Sequence, residues 1–276
     1  ALKLNAADDC DTALKKIIAN SLEHLLPNSS AIALGQFSSE HVHQARVAIR
    51  RLRSALKTFA FESPAVSKAA LWQQKLADLF RQFGATRDRD ALSESFMPQL
   101  IAAGSPIVQL PLLQETEAVN IPDIFQTPAT TLLLLELIEF AYSPPQKSPK
   151  LKKPLNKRLN KMHAHICRAQ TQFAHMQDAE KHQLRKRVKT LRYSVEFASS
   201  LYSKTKVKTY LNALKPLQDN LGHFNDLSVA YSLFEKNTQQ QPEAWFVLGW
   251  ITAEKQQLEK HIVKSLKHFS HAQPFW

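Results

Sequence analysis

Two segments of this chain, 139 residues apart, carry the same kinds of side chain in the same order, and that repeat restricts the fold more than any other feature. His43, Arg46, Arg50 and Arg53 stand opposite His182, Arg185, Lys189 and Arg192. Further on the offset becomes 138. Trp72, Leu76, Leu79 and Phe83 then stand opposite Tyr210, Leu214, Leu217 and Leu221, Gly84 opposite Gly222, and Asp88 opposite Asp226. Two of only 5 glycines fall at equivalent places. A match of this extent points to a duplicated unit. Its steps of three and four residues are those of an α-helix. The chain is expected to be all-α, in two repeats.

The repeat sets the domain plan. Residues 143–154, SPPQKSPKLKKP, hold four Pro and four Lys and read as a linker, because Pro blocks helix and the lysines favour water. Residues 1–142 form the first repeat and 155–276 the second, within one domain spanning 1–276. Helices are predicted at 7–26, 38–62, 67–83, 87–103 and 129–141, then at 155–177, 179–202, 205–221, 225–237 and 243–270. Ser38 and Asp178 are suited to cap the two helices of the repeated motif. Gly84 and Gly222 are suited to end the helices that follow, in left-handed turns. The scarcity of glycine argues against barrels and dinucleotide-binding loops. Trp72, Phe83, Tyr210 and Leu221 fall on apolar stripes and are expected in the core.

Each copy of the motif carries two stripes. In 38–62 the apolar one is Val42, Ala45, Ile49, Leu52, Leu56 and Phe59. The basic one, His43, Arg46, Arg50, Arg53 and Lys57, lies one residue on, beside the core face and not opposite it. It extends for roughly 21 Å at helical rise. In 179–202 Leu184, Val188, Leu191, Val195 and Ala198 are apolar, while His182, Arg185, Lys189 and Arg192 are basic. Arg51 widens the first basic row; Lys186 and Arg187 widen the second. Arg158, Lys161, His165 and Arg168 make a third row at steps of 3, 4 and 3.

Like charges at these spacings repel by a few tenths of a kcal/mol per pair. An anion offsets that cost, and the arginine fork matches phosphate oxygens. A solvated helix face would carry interspersed acids, which the first row lacks. The whole chain has 36 Lys and Arg against 24 Asp and Glu, a net +12, which points to a polyanionic partner. One block stands apart: 105–142 has no Lys or Arg but has Glu115, Glu117, Asp123, Glu136 and Glu139.

At these motifs the chain resembles the CHAD family, the conserved histidine α-helical domain. The carrying segments are HQARVAIRRLRSAL (43–56) with LFRQFGATRDRDAL (79–92), and HQLRKRVKTLRYSV (182–195) with LKPLQDNLGHFNDLSVA (214–230). The resemblance implies two four-helix bundles related by pseudo-twofold symmetry around a basic central channel that binds inorganic polyphosphate. In that channel the candidate phosphate-binding residues are His43, Arg46, Arg50, Arg51, Arg53, Lys57 and Arg87, then His182, Arg185, Lys186, Lys189 and Arg192, with Arg158, Lys161 and Arg168 of the third row added from their own spacing. The resemblance also implies association with a triphosphatase-type domain; no E-x-E-x-K signature of such a domain occurs here. The chain departs from the family pattern at Phe83, at Asn225 and Ser228 (opposite Arg87 and Asp90), at Thr190 (opposite Arg51) and at Glu196 (opposite Lys57). Its second row is therefore the less basic.

The expected function is non-enzymatic binding of polyphosphate by Arg and Lys, with His43 and His182 donating to phosphate oxygens and binding tightening as pH falls toward 6. No nucleophile–base pair, phosphate loop, cofactor motif or metal cluster is evident, and Asp88, Asp90 and Asp226 read as caps paired with basic side chains. Three other functions fit the same charge. A nucleic-acid binder would share the electrostatics but would want aromatics interleaved for stacking. A phosphate-chain-processing enzyme, or its accessory subunit, would shorten the ligand. A scaffold at polyphosphate or storage granules would use 105–142 for a protein contact. Two cysteines, Cys10 and Cys167, make no disulfide framework. With no apolar run long enough for a membrane span, a cytoplasmic location is expected.

Overall fold

The computed structural model describes residues 2–83, 92–111 and 120–276. The predicted helix at 87–103 starts outside them, as do Gly84, Arg87, Asp88 and Asp90. We number the helices α1 (Cys10–Ala33), α2 (Ser39–Phe59), α3 (Val66–Gln82), α4 (Met97–Ala102), α5 (Ile121–Gln126), α6 (Pro128–Tyr142), α7 (Lys152–Gln172), α8 (Asp178–Ala198), α9 (Lys204–Glu235) and α10 (Ala244–Ser270). The described residues contain no strand; the one β-type pairing is an isolated bridge between Asp9 and Lys150. The fold is all-α, as expected.

The helices begin where side chains satisfy their first N–H groups. Asp9 accepts from the Thr12 amide at 2.8 Å and Thr127 from the Thr130 amide at 3.2 Å. Ser38 caps α2 as expected, its amide donating back to His41 Nδ1 at 3.1 Å. At α8 the cap is Gln177, not Asp178: the Gln177 amide donates to Glu180 Oε2 at 2.8 Å, and Asp178 is the first helical residue. There it accepts from Lys255 Nζ at 2.5 Å.

Packing follows the stripes. The apolar faces of α2 and α8 are buried, and so are Trp72, Phe83, Tyr210 and Leu221. In the first half α1, α2, α3 and α6 close into a ring of neighbours; in the second half α7, α8, α9 and α10 do the same. The halves meet where α2 crosses α8. There Thr58 Oγ1 and Ser194 Oγ are 2.8 Å apart, and Phe59 and Phe197 pack edge to face at 6.0 Å.

Two predicted helix ends are absent. α1 continues through Pro27 to Ala33, and α9 runs unbroken for 32 residues through Pro216 and Gly222. The reason in α9 is tertiary. Leu214, Leu217, Leu221, Phe224 and Leu227 are all buried, so one apolar stripe passes the glycine without interruption. Asp226, inside this helix, caps nothing. A Cβ added at Gly222 would meet no atom within 4 Å. Gly222→Ala is therefore expected to stabilise the protein by about 0.5–1 kcal/mol. A melting experiment checks this, and a lowered midpoint would refute it.

The linker is latched, and its last three residues already belong to α7. The Cys10 amide donates to Pro149 O at 2.9 Å and the Leu151 amide to Asp8 O at 3.1 Å. Asp11, 1% exposed, accepts from the Gln146 amide at 2.9 Å and from Ser63 Oγ at 2.7 Å, while its own amide donates to Ser148 Oγ at 2.9 Å. The segment thus returns to the start of α1, where the prolines and lysines suggested a solvated linker.

Candidate functional site

Because each basic row sits one residue from a core stripe, it emerges at the edge of the helix interface and not on the open surface. Between α2 and α8 the structure leaves a cavity of about 440 Å³. Arg46, Arg50, Arg53 and Lys57 come from α2, with Ser54. His182, Arg185, Lys186 and Lys189 come from α8, with Thr190 and Tyr193. Gln73 and Phe80 of α3, Leu92, and Asn225, Asp226 and Val229 of α9 complete it. Among the described residues, seven Arg and Lys side chains thus share this space with one carboxylate, Asp226.

The first wall is held in place by its neighbours. Arg46 is 7% exposed; its Nη1 donates to Phe83 O, and its guanidinium lies 4.7 Å from the Phe80 ring centroid. Arg50 lies 5.8 Å from the same ring, and its buried Nε has no hydrogen-bond partner among the described residues. A ring face beneath a guanidinium leaves the N–H edge open to an anion. On the second wall His182 Nδ1 is 2.6 Å from Asn225 Oδ1. The amide oxygen accepts, so Nδ1 carries a proton and Nε2 becomes a donor only when the ring is charged.

The collected charge works against itself. Burial, then Arg185 and Arg50, push the Lys189 ammonium down to about 7, with Asp226 opposing them. Lys57 is lowered by burial and then by Arg187, Arg158, Lys186 and Arg53. Arg53 is lowered by burial and by Arg81, and Lys186 by burial and by Arg53. An anion in the cavity would reverse these effects.

Several predicted residues lie elsewhere. Glu196 draws two arginines away: Arg192 Nε is 2.8 Å from Oε1, and Arg51 Nη1 is 3.5 Å from Oε2. Arg51 also stacks against Phe197 at 4.8 Å. His43 is half-buried one turn before Arg46 and is not among the residues lining the cavity. In the third row, Arg158 donates to Lys57 O and lies 4.9 Å from Phe61, while Lys161 and Arg168 are exposed on α7, outside the cavity. Sequence reasoning missed Gln73, Ser54, Thr190 and Tyr193 as wall residues. The i,i+4 spacing of Arg192 and Glu196 was a readable signal for that pair; nothing local pointed to Arg51.

Among the described residues, no group of three or more His, Cys, Asp and Glu side chains could hold a metal ion. No helix among them is long and apolar enough to cross a membrane.

The family model described as the CHAD domain matches residues 16–235. The chain belongs to the CHAD family. Members of this family bind polyphosphate in general. Among solved structures, this CHAD chain is similar to the CHAD domain from the plant Ricinus communis. The identity is 28% and the TM-score 0.72, over 100% of this chain and 96% of that one. It is also similar to PptA from Streptomyces chartreusis, at 13% identity and a TM-score of 0.66, over 96% of this chain and 99% of that one; at that identity the likeness is one of fold. A search of curated proteins returned no match.

Proposed function

We propose that this CHAD domain binds inorganic polyphosphate in the cleft between α2 and α8, without turning it over. One observation carries the reading: two basic rows, far apart in sequence, face one cavity in which Asp226 is the one carboxylate among the described residues. Polyphosphate is a flexible chain with charge on every unit, and it can follow a groove bordered by both rows. A cavity of about 440 Å³ cannot enclose a rigid duplex. Arg50 and Arg185 are the residues to change, because both line the cavity and neither is drawn off by Glu196.

The test is calorimetric titration with long-chain polyphosphate beside duplex DNA, single-stranded RNA and orthophosphate, at two salt concentrations. Each charged hydrogen bond contributes roughly 1.5–3 kcal/mol. Arg50→Ala with Arg185→Ala is therefore expected to weaken polyphosphate binding by about 100-fold or more. Nucleic acid bound as tightly as polyphosphate, or unchanged affinity in the double variant, would overturn the proposal. Release of orthophosphate during incubation would overturn the non-enzymatic part.

A further inference from the structure

The third basic row has a place of its own. Arg158, Lys161, His165 and Arg168 follow one another along a single face of α7 for roughly 15 Å. Arg158 ties the start of this row to the end of the cavity, since its guanidinium donates to the carbonyl of Lys57, itself a wall residue. Arg187 of α8 joins the two regions. After burial, it is the charge that lowers Lys57 most, ahead of Arg158, Lys186 and Arg53. After burial, it also lowers His165 most, ahead of Arg168 and Lys161. Among the described residues no carboxylate lies within ion-pair distance of Lys161, Arg168, Lys186 or Arg187. Unbroken positive charge therefore leaves the cavity at Lys57 and Lys186, passes Arg187 and continues along α7.

We infer that the α7–α8 edge, formed by Arg187 with Lys161, His165 and Arg168, is an outer binding segment for polyphosphate chains too long for the cavity. This builds on the proposed function and deepens it: the cavity holds one stretch of the chain, and the edge makes affinity depend on length. Lys161, Arg168 and Arg187 are exposed and carry no part of the core, so their removal leaves the fold intact. Once one stretch is bound, the next meets the outer charges at high effective concentration.

The experiment compares tripolyphosphate with long-chain polyphosphate on the full chain. The variant is Lys161→Ala, Arg168→Ala and Arg187→Ala together. A control removes the same number of exposed charges away from the edge, through Lys204→Ala, Lys206→Ala and Lys208→Ala at the start of α9. The edge variant is expected to bind tripolyphosphate within about twofold of the unmodified chain and long-chain polyphosphate about tenfold more weakly, with the control near unchanged for both. Equal losses for both lengths, no loss for either, or an equal loss in the control would overturn the outer segment. Failure of the underlying reading looks different: the unmodified chain would bind neither ligand, or would bind both as well after Arg50→Ala with Arg185→Ala.

Discussion

Raising the pH from 7 to 9 is expected to weaken polyphosphate binding by up to about tenfold per unit, and Lys189→Met to abolish that slope. Lys189 stands in the cavity wall among Arg185 and Arg192 of its own helix, Arg50 of α2 and Asp226 of α9. In the free protein, burial and the arginines hold it near 7. Phosphate beside it favours the charged form and raises that value. Between the free and bound values, binding takes up one proton, so affinity falls as pH rises. Below about 7 the amine is already charged and adds no further slope. Calorimetry in two buffers of different ionisation enthalpy should then record close to one proton taken up at pH 8. A flat affinity from 7 to 9, or the same slope in Lys189→Met, would rule it out. Stability has the opposite sign. The lysine titrates lower in the folded chain than its ordinary 10.5, so the unfolded chain holds more protons in that window. The ligand-free fold therefore gains stability from this group as pH rises from about 7 toward 10.5.

Asp11→Ala is expected to cost about 3–5 kcal/mol, the largest single loss we anticipate in the fold. Lys15 is buried beside it, with Nζ 3.9 Å from Asp11 Oδ2, 2.7 Å from Phe140 O and 2.7 Å from Ser143 Oγ. Without the carboxylate this ammonium keeps its neutral partners but loses its counter-charge, while the Gln146 amide and the Ser63 hydroxyl lose their acceptor. At roughly 2–4 °C per kcal/mol for a chain of this size, the melting midpoint should fall by about 6–20 °C. Ser63→Ala, which removes one bond from the same centre, should cost about 1 kcal/mol. If denaturant titration gives less than about 1 kcal/mol for Asp11→Ala, the latch is not a source of stability.

The helical plan was legible because it is written locally. The stripes of α2 and α8 and the Ser38 cap lie within a few residues of what they organise. Pro27 and Gly222 misled for the same reason: both weaken a helix considered alone, and packing overrides them. The apolar steps running from Leu214 to Leu227 already carried the correct answer for α9. At the site, the row positions identified every described Arg and Lys of the wall, since a row beside a buried stripe must border an interface. What stayed hidden depends on the approach of distant segments. Glu196 reaches Arg51 across 145 residues. The depth of Lys189 is set by how α2 and α9 close over it, and Asp11 gathers partners from two connections.

The crossing of α2 over α8 can be regarded as a fulcrum. On one side of it two cationic arms face each other, and their repulsion acts as a lever on the pivot. The pivot is small and stiff, a hydroxyl pair and two phenyl rings at Thr58, Ser194, Phe59 and Phe197. The carboxylate of Glu196 sits close by, fastening an arginine from each helix. The mechanical load of concentrating charge is thus borne away from the place where the charge is used. An anion between the arms would relieve that load at its source.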